Sequence, residues 1–261
     1  MPLEIACRRY NRSVIAKCAR AWSLLLLTAL GLWAQNPPAP QNPSALTDTS
    51  YVTCGERPVT SRTVRSDIYI PPDGKHRAYA EVEATAIRPQ RTAGYSGPLC
   101  VNNARLFVGS DVGDFRLVFL QEPSDTETGN SLRIVDWSVD GRRLLLELAQ
   151  WQYDSPGVSR SPLVYDVNYG VFQQPDMNHV FSKQFGSECL LGVHVLGFSS
   201  EGKVAIETQP LSPEEEEVLA VASCSRKKAA WTLSVVSETL TPLPDTSKVQ
   251  HYGKSEPQPT K

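Results

Sequence analysis

The chain of 261 residues carries 26 Lys and Arg against 28 Asp and Glu, a formal charge of −2, and 41 % of it is hydrophobic. That balance lacks the basic footprint of a nucleic-acid binder, and no basic amphipathic stretch marks a membrane surface. Six cysteines are present, yet no pair has the close C-x-x-C spacing of a zinc or thioredoxin-like site.

Residues 1–21 hold Arg8, Arg9, Arg12, Lys17 and Arg20 against the single acid Glu4, and an apolar run follows from Ala21 to Ala34. A basic stretch, an apolar core of about 12–14 residues and a small residue predict a secretory signal peptide over 1–34, because spanning a bilayer takes roughly 20 apolar residues. The alternative is an uncleaved anchor. Cleavage leaves no further stable membrane span and a mildly acidic chain of net charge about −6. It also leaves Cys54, Cys100, Cys189 and Cys224, an even set that reads as two disulfides in a periplasmic or secreted protein. Residues 35–50, rich in Pro, Asn, Ser and Thr, read as a flexible leader, and 246–261 as a disordered tail. The span between, 51–245, is long enough for one sizeable core.

Within that span one turn recurs three times. It reads Ile70-Pro71-Pro72-Asp73-Gly74-Lys75, Trp137-Ser138-Val139-Asp140-Gly141-Arg142 and Phe198-Ser199-Ser200-Glu201-Gly202-Lys203. Gly74, Gly141 and Gly202 suit the positive φ of a tight hairpin, and Asp73, Asp140 or Glu201 can accept hydrogen bonds from the turn backbone. Short apolar runs flank each turn: Asp67–Ile70 and Ala78–Val82, Leu132–Trp137 and Leu144–Leu148, Val193–Leu196 and Val204–Ile206. Runs this short, bounded by Gly and Asp, are strands. A second hairpin follows in each case, over Arg105–Phe119 around Asp111 and Asp114, Leu163–Phe172, and Trp231–Leu243. Three units of four antiparallel strands result, at about 66–123, 132–175 and 192–245, the strand count of a propeller blade. Trp137 and Phe198 are expected between neighbouring sheets.

The segment from Ile134 to Glu147, with Asp136-Trp137-Ser138-Val139-Asp140-Gly141-Arg142 at its centre, resembles the W-S-P-D-G-K repeat of TolB-like propellers. Those repeats are similar to WD40 blades and occur in exported bacterial proteins. The resemblance covers about 66–245; the first copy departs with Pro71-Pro72 and the third with Phe198 and Glu201. It implies an all-β, propeller-like array of three four-stranded blades, partial or irregular, and transfers no catalytic residue. One short inserted helix is expected from Ser212, with Pro213 at its first position and Glu215 completing a capping box. Three blades are few for a closed ring. Either an irregular strand pair near 51–64 and 176–190 completes it, or two chains join open edges as a homodimer. Four cysteines allow three pairings; equivalent placement in the first and third units favours Cys54–Cys100 and Cys189–Cys224.

Signals for chemistry are sparse. His76, His179, His194 and His251 have no metal-ligand spacing, and Ser96 sits in a Gly/Pro loop without the strand-turn-helix context of a nucleophile elbow. Glu81, Glu147 and Glu207 fall late on the second strand of each unit and could line a shared axis around a cation, although their offsets from the turn differ. No catalytic residue, cofactor or metal is expected. The sequence therefore points to a non-enzymatic binding or scaffold module of the bacterial envelope, with a protein or glycan partner. Its partner surface would lie in the insertions 85–103, 152–161 and 210–228, where Tyr95, Trp151 and Tyr153 are available. The alternative is a hydrolase or lyase with an acidic site at the propeller centre.

Overall fold

The computed structural model describes residues 61–87, 99–124, 128–152 and 157–259. The segments read as signal and leader, together with Cys54, Tyr95, Ser96 and Tyr153, lie outside these residues. The described chain is mostly β, with two sheets that do not close.

The first unit comprises β1 (Ser61–Arg65), β2 (Ile68–Ile70), β3 (His76–Ile87), β4 (Leu99–Ser110) and β5 (Arg116–Gln121). Both β1 and β2 pair with β3, so they act as one interrupted strand. At the break the Ser66 hydroxyl accepts from the Ala80 N–H at 2.9 Å, and the Ser66 N–H donates to the Ala80 carbonyl at 2.9 Å, which keeps the ladder satisfied. The two flanks of the expected insertion at 85–103 are ladder, since β3 and β4 stay in register out to Ile87 opposite Leu99; residues 88–98 lie outside those described. The second unit is an antiparallel meander of β6 (Thr128–Trp137), β7 (Arg143–Gln152), β8 (Val158–Asp166) and β9 (Val171–Gln173). After α1 (Met177–Phe185), the third unit runs through β10 (Gly192–Ser199), β11 (Val204–Gln209), α2 (Pro213–Leu219), β12 (Ala229–Ser234) and β13 (Thr239–Pro242). Then come β14 (Val249–Gln250) and β15 (Lys254–Glu256). Units one and two share a sheet through a parallel bridge between Asn102 of β4 and Gly129 of β6.

Packing is head to tail. Ala78, Ala80, Ala104 and Leu106 of unit one meet Trp137, Leu144, Leu146 and Leu148 of unit two in one buried cluster. The opposite face of unit two, with Val135, Leu145 and Val164, meets Phe198, Val204, Ile206 and Leu233 of unit three in a second. β7 is therefore buried on both faces, which is why its sequence is a continuous apolar run rather than an alternation. Each leucine buried there contributes about 1.5–3 kcal/mol.

The three turns stack at one end of these seams. Gly74, Gly141 and Gly202 have φ of 69°, 69° and 71°. Their N–H groups donate to the carbonyls of Pro71, Ser138 and Ser199 at 3.0, 2.9 and 2.8 Å. Asp73 and Asp140 accept from the backbone two residues on, whereas exposed Glu201 pairs with Lys203. The residue two past the first and the second glycine reaches the next unit: His76 stacks over Trp137 and the Arg143 guanidinium lies 5.4 Å from the centre of the Phe198 ring. A Cβ at Gly141 would stand 2.8 Å from Asp73 Oδ1, while one at Gly74 would meet nothing within 4 Å. Gly141→Ala should thus cost about 1–3 kcal/mol from the left-handed backbone plus the turn-to-turn clash. Urea unfolding should show a smaller loss for Gly74→Ala; equal losses would mean the turns do not touch.

Three expectations are corrected. Residues 176–190 form a helix and supply no strand to go with 51–64, of which 51–60 lie outside the described residues, and the described chain has two α-helices rather than one. Asp176 caps α1 by accepting from the N–H groups of Asn178 and His179, Gly186 closes it at φ 71°, and Val180 and Phe181 bury its inner face. Nor are residues 249–256 a loose tail. β14 pairs with β10 and β15 pairs with β2, because the buried Asp136 carboxylate accepts the N–H groups of Tyr252 and Gly253 at 2.8–3.1 Å and fixes the chain between them.

Candidate functional site

The seam between units two and three is built around Glu147, which is fully buried on β7. Directly opposite on β6 stands Arg133, whose Nη2 donates to Glu147 Oε2 at 3.0 Å and to the Val195 carbonyl at 2.9 Å. The Val195 N–H donates to the same carboxylate oxygen at 2.7 Å. His194 Nδ1 lies 3.1 Å from it, and Arg160 Nε 3.7 Å from the other oxygen. Burial pushes the Glu147 carboxyl up, but His194, Arg133 and the Val195 N–H outweigh that and hold it at about 2. The result is a polar clamp across an otherwise apolar seam.

Past the clamp, the ends of β7 and β8 splay from the third unit and leave a cavity of about 440 Å3. It is lined by the amides of Gln150, Gln152 and Asn130, by Phe181 of α1 and Leu219 of α2, and by Leu191 and Val193 at the start of β10. Trp151 closes the floor. A Cβ at Gly129 would come 2.4 Å from its ring, so the indole lies against bare backbone. A hollow of about 270 Å3, lined by Arg160, His194, Glu207 and Val193, continues the groove along β10. The volume and the mixture of aromatic, amide and aliphatic groups are those of a ligand site.

The disulfide Cys189–Cys224 forms, with a Cα–Cα distance of 4.9 Å, and ties the α2 segment to the start of β10. Backbone bonds from Leu190 to Ala222 and from Cys224 to Leu190 run beside it. Cys100 is buried and disulfide-bonded, while its expected partner Cys54 lies outside the described residues. With 35 residues closed, replacing Cys189 and Cys224 by Ala should cost about 3–4 kcal/mol in the chain-entropy picture. Thermal unfolding measures it; a loss below about 1 kcal/mol would show that the α2 wall needs no tether.

Of the aromatics expected on a partner surface, Trp151 is only 4 % exposed: it is a cavity floor, not an open platform. Tyr95 and Tyr153 lie outside the described residues. The three glutamates do not share an axis. Each has its own cations: Arg65 and Arg105 on Glu81, Arg133 and Arg160 on Glu147, Lys228 on Glu207. Among the described residues no cluster of three or more His, Cys, Asp or Glu side chains could hold a metal ion. Sequence reading missed the clamp, although a glutamate inside Leu144–Ala149 and a basic residue on the preceding strand are its signal. That pairing recurs, with Arg65 opposite Glu81, Arg133 opposite Glu147 and His194 opposite Glu207.

No family model matches the chain, and no curated protein matches it. No described helix is long and apolar enough to cross a membrane.

Proposed function

We propose that the chain is an exported, non-enzymatic binding or scaffold module, a partial propeller of three blades whose ligand site is the groove between the second and third. The observation that carries this reading is the position of the 440 Å3 cavity: it opens where the end of unit two and the approach to unit three, with α1 and α2, depart from the repeat. Loops and insertions on a rigid sheet frame are where recognition evolves most freely. The Cys189–Cys224 bridge supports an oxidising compartment, periplasmic or secreted. The resemblance of the Asp-Gly turn sequences to TolB-like repeats favours the bacterial envelope. A protein or glycan fits the partner. The open ends of the array leave room for pairing of two chains. An acid-centred hydrolase or lyase would need a carboxyl that carries a proton near neutral pH. Glu147, held at about 2, does not supply one.

A photo-crosslinking residue at Gln152, on the groove rim, tests the proposal in cells that export the protein. Irradiation should give a discrete adduct from position 152 and none from Val236, an 83 % exposed turn residue outside the groove. Equal adducts from both positions, or none from 152, would remove the groove from consideration.

A further inference from the structure

We infer that the groove takes an extended peptide, bound by strand addition to the free edge of β10. This names the ligand class of the proposed site and rests on that reading. β11 pairs with β10 from Gly192 to Phe198, but on the other side β14 reaches only Phe198 and Ser199. In an antiparallel ladder alternate residues turn both N–H and C=O away from their partner strand. Val195 is such a residue, and Glu147 and Arg133 take its two groups, standing where another strand would be. Val193 and Leu191 have the same parity. No described strand pairs with this edge at either position, and both line the 440 Å3 cavity. Leu190 has the opposite parity, and its backbone is already bonded to Ala222 and Cys224. The open edge therefore begins where the disulfide-tethered segment ends and stops at the clamp.

An unpaired strand edge inside a groove recognises backbone, which selects a peptide over a sugar or an acyl chain. The walls specify its side chains. Phe181, Met177, Leu211 and Leu219 offer an apolar slot for one residue. Asn130 also lines the cavity and holds the Gln150 amide, whose Nε2 donates to Asn130 Oδ1 at 3.1 Å, so that Gln150 is fixed beside the ligand. Glu122 and Glu215 also line the cavity and make no ion pair among the described residues; Glu215 gives one oxygen to the Ser212 N–H at 2.7 Å and keeps the other, which favours a Lys or Arg in the ligand. The occupant is thus a short extended segment of a partner protein with alternating apolar and polar residues and a cation.

The probe is a phage-displayed library of random dodecapeptides, selected on the full exported chain. Enriched peptides should share the alternating pattern with a Lys or Arg. A synthetic copy should lose at least about tenfold in affinity when alternate backbone nitrogens are methylated, because the edge bonds then fail. Leu219→Asn, at a position 48 % exposed and so tolerant of a polar side chain, should weaken binding by a similar factor, because it removes the apolar slot without adding charge beside Glu215. The inference is overturned if no clone is enriched, if methylated peptide binds as well as unmethylated, or if Leu219→Asn has no effect. A crosslinked adduct at Gln152 alongside a failed peptide selection would leave the groove as the site of a different ligand; loss of both would remove the groove itself.

Discussion

Glu147→Ala is expected to lower the unfolding free energy by about 3–5 kcal/mol, because it leaves Arg133 and the Val195 N–H without their acceptor inside a buried seam. Glu147→Gln keeps the shape and loses the charge, so a loss nearly as large is expected from it. The same carboxylate sets an acid dependence. Its pKa is about 2 in the folded chain, below the ordinary carboxylate value of 4.5, so the unfolded state binds the proton more tightly. Stability from this group, roughly 3 kcal/mol by linkage, is fully present above about pH 5 and is lost as pH falls towards 2. Urea titrations at pH 7 and pH 3 should show the gap between the wild-type chain and Glu147→Gln narrowing at the lower pH. A Glu147→Ala chain within about 1 kcal/mol of wild type would show that the clamp is decorative.

Trp137→Ala is expected to cost about 3–5 kcal/mol, since the ring is fully buried between units one and two and its removal leaves a cavity against Leu144 and Ala80. Trp137→Phe should cost far less. The indole Nε1 has no hydrogen-bond partner among the described residues, so the smaller ring deletes an unmet donor along with some volume. Chemical unfolding of the two variants separates the terms. A Phe variant as weak as the Ala variant would indicate that Nε1 is satisfied in solution and that the ring is held by polarity as well as packing.

The framework was legible because its determinants are local. Asp-Gly and Glu-Gly turns, short apolar runs and the Ser212 capping box each act within a few residues, and β2 to β13 fall where those signals put them, while the polar β1 carried no such signal. What escaped depends on contacts between distant segments. β15 is Lys254-Ser255-Glu256, polar throughout, and its pairing with β2 is a backbone matter guided by Asp136, more than 110 residues earlier. α1 carried legible caps in Asp176 and Gly186, but its buried pair, Val180 and Phe181, is too short a stripe to announce a helix. Glu147 stood in plain view within an apolar run. Its role was hidden because its partners come from β6, β8 and β10, and because offsets of eight, seven and six residues from the turn aim Glu81, Glu147 and Glu207 at different surroundings. The groove was least legible of all. Trp151 was visible as an aromatic in an insertion, whereas the edge beside it depends on β14 pairing only with Phe198 and Ser199 and on the clamp standing at Val195, contacts between segments distant in the chain.

Residue-resolved amide exchange along β10 tests that arrangement most directly. In the free protein the Val195 amide, bonded to Glu147, should exchange slowly, while Leu191 and Val193 exchange faster and slow only when a selected peptide is added. Val193 as protected as Val195 before any ligand is present, or a peptide that slows the outer face of unit one and leaves β10 unchanged, would contradict the account.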